Sequence, residues 1–227
     1  MPFELSSNLA SLLVLLTIAV PVGTSLLLGI LLAFFKPGER WERPVGMVAM
    51  VSMTVSLLLV IAMAGLWLAG GMKTLELTLP WKIFSIWNIF LYDRTSALLS
   101  IVAAMMGLAT LRFSGTYLHR EPGFTRFMAV ALAFIGSIMG AIFADNPVQM
   151  AAWWEFIGAS SLLLIGFYHD RPGPCSGAIA VLRQYRIADA GMLVGCGLIL
   201  ANEVHGEYGA AALLPPEVRD VAALGFT

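Results

Sequence analysis

The sequence predicts an all-α membrane protein: a polytopic transmembrane helix bundle of six spans, with a short extracytoplasmic β-ribbon between spans two and three. Three observations predict it. Of 227 residues, 59% are hydrophobic and only 12% are charged, whereas an ordinary soluble domain carries about 25% charge. The apolar residues fall into six long runs, each near the roughly 20 residues a helix needs to cross a bilayer. Lys and Arg are unevenly shared between alternate connections. The same composition excludes an ordinary cytosolic enzyme, a disordered chain and a nucleic-acid binder. Thirteen basic residues against fourteen acidic give a net charge of −1, so there is no basic field to attract nucleic acid. Cys175 and Cys196 form neither a C-x-x-C pair nor a metal-ligand spacing.

The first span is 9–35, an uncharged run with Pro21 inside it, where a kink is expected. Its N-terminal flank carries Glu4 and no Lys or Arg. A secretory signal has a basic flank and a shorter apolar core, so this is read as a retained span. The second span is 45–70. The third, 95–111, is closed by Arg112, and the fourth, 127–144, by Asp145. The fifth, 147–168, contains Glu155, and the sixth, 177–201, contains Arg183, Arg186 and Asp189. The whole of 1–227 reads as a single membrane domain. Between spans two and three, Thr74, Glu76 and Thr78 alternate with Leu75, Leu77 and Leu79, a strand period. Trp81, Trp87 and Tyr92 suit a membrane interface, where one edge of the ring is wet. Gly136 with Gly140, and Gly191 with Gly195, have the G-x-x-x-G spacing that lets helix backbones approach closely.

Short loops rich in Lys and Arg stay in the cytoplasm. The connections after spans one, three and five hold Lys36, Arg40, Arg43, Arg112, Arg120, Arg126 and Arg171. The opposite side holds Lys73, Lys82, Arg94 and Arg219. The bias puts both termini outside, periplasmic for a chain in a bacterial inner (cell) membrane.

Glu155, Arg183, Arg186 and Asp189 fall inside spans. A charge at a helix centre costs about 2.5–3.5 kcal/mol on insertion scales, so such residues pair or line a watery path. With span five ending inward at Tyr168, Glu155 lies roughly 20 Å up; with span six starting at Gly177, Asp189 lies roughly 18 Å up and Arg186 roughly 13 Å up. Glu155 and Asp189 are therefore expected at nearly one depth. Arg186 and Asp189 are spaced i, i+3 and share a helix face. Burial raises a carboxyl pKa and a nearby Arg lowers it. If Arg186 turns to Asp189, Glu155 takes up a proton; if Arg186 turns to Glu155, the proton leaves. The three residues form a candidate proton-transfer group whose titration belongs to the group as a whole. Arg183 sits nearer the interface and can snorkel to water.

Four stretches resemble the antiporter-like, proton-translocating membrane subunits of respiratory complex I, closest to the NADH-quinone oxidoreductase chain L or subunit 5 family. They are Tyr92-Asp93-Arg94-Thr95-Ser96-Ala97-Leu98; Tyr117-Leu118-His119-Arg120-Glu121-Pro122-Gly123 followed by Arg126-Phe127; Ala144-Asp145-Asn146 with Trp154-Glu155-Phe156-Ile157-Gly158 and Leu164-Ile165-Gly166-Phe167; and Arg186-Ile187-Ala188-Asp189-Ala190-Gly191. The likeness covers the family's N-terminal part. It implies that Glu155 is the glutamate gating proton movement, and that Arg186 and Asp189 are the ion pair modulating it. His119 and Arg126 match loop positions without an assigned role.

Two departures stand out. Tyr185 and Ala188 replace the usual Asn and Gly of the sixth-helix motif. The family also continues into a broken seventh helix with a lysine partner, whereas Lys36, Lys73 and Lys82 here are in loops. The resemblance thus implies a truncated or split subunit, or a fragment, of a complex coupling quinone reduction to proton transport. Its partners would be other membrane and redox subunits, the lipid bilayer and protons, and it would hold no cofactor of its own. There is no G-x-G-x-x-G after a strand, and His119, His169 and His205 lie in or beside loops, where solvated histidines are expected. Related subunits of cation/proton antiporters, membrane hydrogenases and bicarbonate-uptake complexes are one alternative. A non-transporting membrane scaffold is another.

Overall fold

The computed structural model describes residues 7–35, 39–72, 74–78 and 89–204. In chain order these form α1 (Ser7–Phe35), a single 3-10 turn (Glu39–Trp41), α2 (Glu42–Ala69), β1 (Leu75–Thr78), β2 (Ile89–Tyr92), α3 (Arg94–Tyr117), α4 (Phe124–Ile142), α5 (Pro147–Ile165) and α6 (Pro172–Val204). The chain divides into two compact units, Met1–Val181 and Leu182–Thr227. Of the described helices, α1 to α5 are long and apolar enough to cross a membrane. The expectation of six spans rests on α6, whose 33 residues exceed a bilayer's requirement but carry Arg183, Arg186 and Asp189 in mid-helix.

The first unit is a bundle in which α1 packs on α2 and α4, α2 on α3, and α4 on α3 and α5. Its interior is filled by Val14, Met53, Met63, Leu111, Met128, Leu132 and Met139. Its outside is equally apolar: Leu26, Leu27, Phe34, Leu58, Met105 and Met106 are all exposed. A surface this rich in large apolar side chains is unfit for water and matches a helix set whose solvent is lipid.

In lipid, burying apolar surface does not drive helices together, so polar bonds and close packing must. Pro21 lies inside α1, and the helix continues through it. Proline has no N–H, so the carbonyl four residues back loses its helical donor. That carbonyl belongs to Thr17, and the Ser56 hydroxyl of α2 donates to it at 2.8 Å. Ser52 of α2 donates to the Val20 carbonyl at 3.3 Å, and Ser25 of α1 donates to Ala129 of α4 at 2.7 Å. The α4 glycines serve two different neighbours. A Cβ on Gly136 would come within 2.6 Å of Val22 Cγ2 on α1, and one on Gly140 would run into the Trp153 ring of α5. Gly191 and Gly195 of α6 differ, since a Cβ on either meets nothing within 4 Å. The close approach expected of that pair is absent among the described residues.

Boundaries move where the sequence used charges as stops. α3 continues past Arg112 to Tyr117, because a long basic side chain on the last turns of a span can reach the interface without ending the helix. It begins on a capping box: Asp93 accepts from Ser96 N–H at 2.7 Å and the Ser96 hydroxyl accepts from Asp93 N–H at 2.7 Å. α5 opens on Asn146, which accepts from Gln149 N–H at 2.8 Å, with Pro147 in its first turn. It closes at Ile165, before Gly166, three residues short of the expected Tyr168. α6 starts at Pro172, five residues before the expected Gly177.

β1 and β2 pair antiparallel, with Leu75 opposite Tyr92 and Thr78 opposite Ile89. Leu77, Phe90 and Tyr92 are buried. The ribbon is tied to the end of α4 by Leu91 N–H donating to the Phe143 carbonyl at 3.0 Å. Tyr92 stacks on Phe143 and meets Trp67 edge-on, each at 5.9 Å between ring centres. The expected wet edge is absent for Tyr92, which is 1% exposed; the α2 and α4 ends close over it. Trp81 and Trp87 lie outside the described residues.

Candidate functional site

On α6 the i, i+3 spacing produces a real ion pair. Arg186 Nη2 lies 3.2 Å from Asp189 Oδ2. The two ends of the pair differ: the Asp189 side chain is 8% exposed and that of Arg186 is 56% exposed. The carboxylate is thus held inside while the guanidinium reaches outward along the same face. Arg183, one turn earlier, is exposed, in keeping with a snorkelling side chain. Asp189 lies 17 residues beyond Pro172, about 26 Å along the helix axis. Glu155 is half-buried on α5, ten residues before Ile165, about 15 Å along that axis. Each distance is measured along its own helix, from an end that differs from the expected one. Glu155 belongs to the first compact unit and the Arg186–Asp189 pair to the second, so each is described by itself. The residues one turn from Glu155 on α5 are Ala151, Ala152, Gly158 and Ala159, so its carboxyl stands among small side chains on its own helix.

A second constellation was missed by the sequence reading. Glu42, the first residue of α2, is buried. Its Oε2 accepts from His119 Nδ1 at 2.9 Å, and its two oxygens share Arg120 N–H at 3.1 and 3.2 Å. An ionised carboxylate only accepts, so Nδ1 carries the proton. Arg120 adopts φ +65°, a left-handed backbone that few non-glycine residues take and that here turns its N–H onto the carboxylate. His119 was expected to be a solvated loop histidine. Its side chain is still 59% exposed, yet it is anchored, and it ties the α3–α4 turn to the start of α2. The signal available in the sequence was weak: Glu42 is one of two acidic residues, with Glu39, among the basic ones of the 36–43 loop.

Arg126, in the first turn of α4, also has a structural task. Its Nη2 donates to the Phe167 carbonyl at 2.7 Å and its guanidinium stands 5.3 Å from the Phe167 ring centre. It satisfies a carbonyl just beyond the C-terminus of α5, where orphan acceptors collect. His169 Nδ1 accepts from the same guanidinium at 3.3 Å.

Among the described residues outside the spans, two groups are shifted. The hydrogen bonds from Ser96 hold the Asp93 carboxyl below the usual carboxylate range, against a smaller opposing effect of burial. Burial pushes the Tyr92 phenol up to about 12.

No family model matches the chain. It is 30% identical over 128 residues to the NAD(P)H-quinone oxidoreductase chain 5 of Picosynechococcus sp., covering 55% of this chain and 19% of that protein. It is 31% identical over 106 residues to the chloroplastic NAD(P)H-quinone oxidoreductase subunit 5 of Angiopteris evecta, covering 47% and 14%. With the chloroplastic subunit 5 of Piper cenocladum it shares 26% identity over 180 residues, covering 78% and 24%. The chain thus spans about a fifth of the length of the curated relatives it matches. Those curated homologues are, by name, the fifth chains or subunits of NAD(P)H-quinone oxidoreductases.

Proposed function

We propose that this chain is a proton-handling membrane part of an NAD(P)H:quinone oxidoreductase, and that Glu155 is its switchable proton carrier. The observation that carries the reading is the Arg186–Asp189 ion pair of 3.2 Å on α6, in a chain whose homologues are subunit 5 proteins. Asp189 holds Arg186. When that hold loosens, the guanidinium becomes available to a second carboxylate, and a carboxylate that gains an Arg partner gives up its proton. Glu155 is the ionisable side chain of α5, a helix apolar enough to cross a membrane. Intramembrane ionisable residues of this kind mark ion and proton pathways.

In this reading α6 is a sixth span, with Asp189 turned to protein and Arg183 reaching towards water. The loops rich in arginine face the cytoplasm of a bacterial cell, and both termini face the periplasm. The redox chemistry belongs to other membrane and redox subunits, while this chain moves protons. The test is Glu155→Gln in the complex that co-purifies with the tagged chain. Proton uptake into membrane vesicles should be abolished while the amount of assembled complex stays unchanged. Full proton transport by the Gln variant would overturn the assignment. Recovery of antiporter or bicarbonate-uptake partners in place of NAD(P)H-oxidising subunits would overturn the complex.

A further inference from the structure

We propose that the groove between the start of α2 and the end of α3 is a binding site for one anionic diacyl phospholipid. The groove encloses about 850 Å³ and is lined by Arg43, Met47 and Val51 of α2, by Arg112 and Gly115 of α3, and by Met128 of α4. That volume lies in the range of small-molecule sites, roughly 300–1,000 Å³.

The order of residues along it matches the order of groups in a phospholipid. Arg43, Met47 and Val51 follow one another at i, i+4 and i+8 on α2, so they form one stripe down a single face. The stripe begins with a cation in the first turn and continues with two apolar side chains that are 63% and 61% exposed. α3 runs the opposite way, and Arg112 lies five residues before its end at Tyr117, roughly 7–8 Å inside, where a lipid phosphate sits. Both arginines are exposed, and among the described residues neither is in an ion pair. The acidic group of the groove, Glu42, already receives His119 Nδ1–H and Arg120 N–H. Two such cations beside one carboxylate that is already hydrogen-bonded select a negative headgroup over a zwitterionic one. The phosphate lies between Arg43 and Arg112, and one acyl chain runs along Met47 and Val51.

The proposal rests on the membrane reading and not on proton transfer, so Glu155→Gln should leave it untouched. The experiment is native mass spectrometry of the full, delipidated chain in mild detergent, with phosphatidylglycerol and phosphatidylcholine in competition. The wild type should retain one phosphatidylglycerol with a preference of roughly thirtyfold, since two basic side chains beside a net-negative headgroup contribute about 1 kcal/mol each and about 1.4 kcal/mol is tenfold. Millimolar inorganic phosphate should not displace it, because a free anion lacks the tails. Arg43→Gln with Arg112→Gln should lose the preference. Arg43→Lys with Arg112→Lys should keep most of it, which separates charge from misfolding. Arg94→Gln, at the other end of α3, should have no effect. Equal retention of both lipids by the wild type, an undiminished preference in the Gln pair, loss in the Lys pair, or displacement by phosphate alone would each overturn the site.

Discussion

At the residue scale, Thr17 shows how a local defect becomes a tertiary bond. Pro21 removes the donor for the Thr17 carbonyl, and Ser56 supplies one from the neighbouring helix at 2.8 Å. A buried carbonyl left without a partner costs about 1–3 kcal/mol. Ser56→Ala should therefore lower stability by about that much, read as denaturant-induced loss of helical circular dichroism in detergent. Restoring the helical donor with Pro21→Ala in the Ser56→Ala background should recover most of the loss. Asp93 gives a pH prediction. Its carboxyl is held below the usual range by the Ser96 hydrogen bonds. A group depressed in the folded state stabilises above its unfolded pKa, and that contribution disappears as pH falls through the folded value. The apparent melting temperature should thus fall below about pH 4. Asp93→Asn keeps an equally good helix cap, so it should match the wild type at pH 7 and lose this part of the acid sensitivity. An Asn variant with an unchanged acid profile would show that Asp93 is not the group titrating.

At the element scale, α4 organises the first unit because it touches α1, α3 and α5, and its two glycines face different helices. Gly136→Ala places a methyl within 2.6 Å of Val22. Overpacking of this kind costs about 1–3 kcal/mol, and the variant should unfold at lower denaturant. Gly191→Ala meets nothing within 4 Å and should be neutral in the same assay. The identical G-x-x-x-G spacing in α4 and α6 thus has different consequences. Spacing says only that two glycines share a helix face, and the neighbour decides whether that face is needed. Strand period and turn chemistry behave in the same way. The alternation at 75–78 appears as β1, but what buries Tyr92 is a pair of helix ends far away in sequence.

At the scale of the whole molecule, the distribution of arginines makes a topology prediction. The α3–α4 turn, with Arg120, and the β1 side, with Thr74, should lie on opposite faces of the membrane. In a background with Cys175 and Cys196 replaced by Ser, Glu121→Cys should react with an impermeant maleimide only from the cytoplasmic side, and Thr74→Cys only from the other. Reversed labelling would invert the proposed orientation, and labelling of both from one side would remove α3 from the membrane.

Composition and pattern alone determined the helical membrane class, the position of five helices and the Arg186–Asp189 pairing. Each rests on short-range physics: the length of an apolar run against the bilayer, and the turn of a helix bringing i and i+3 together. They also pointed to Glu155 as an ionisable residue in an apolar helix, because the cost of a charge there depends on local hydropathy. The tertiary structure alone decided which orphan carbonyl Ser56 satisfies, which glycines lie against a neighbour, and that Glu42 holds His119 across 77 residues. It also moved the C-terminal ends of α3 and α5, since a helix stops where its last carbonyls find other partners and not at the first charge, and it moved the start of α6 to Pro172. Such long-range contacts depend on the side on which two helices meet, and hydrophobic periodicity carries no information about that when every face of a span is apolar.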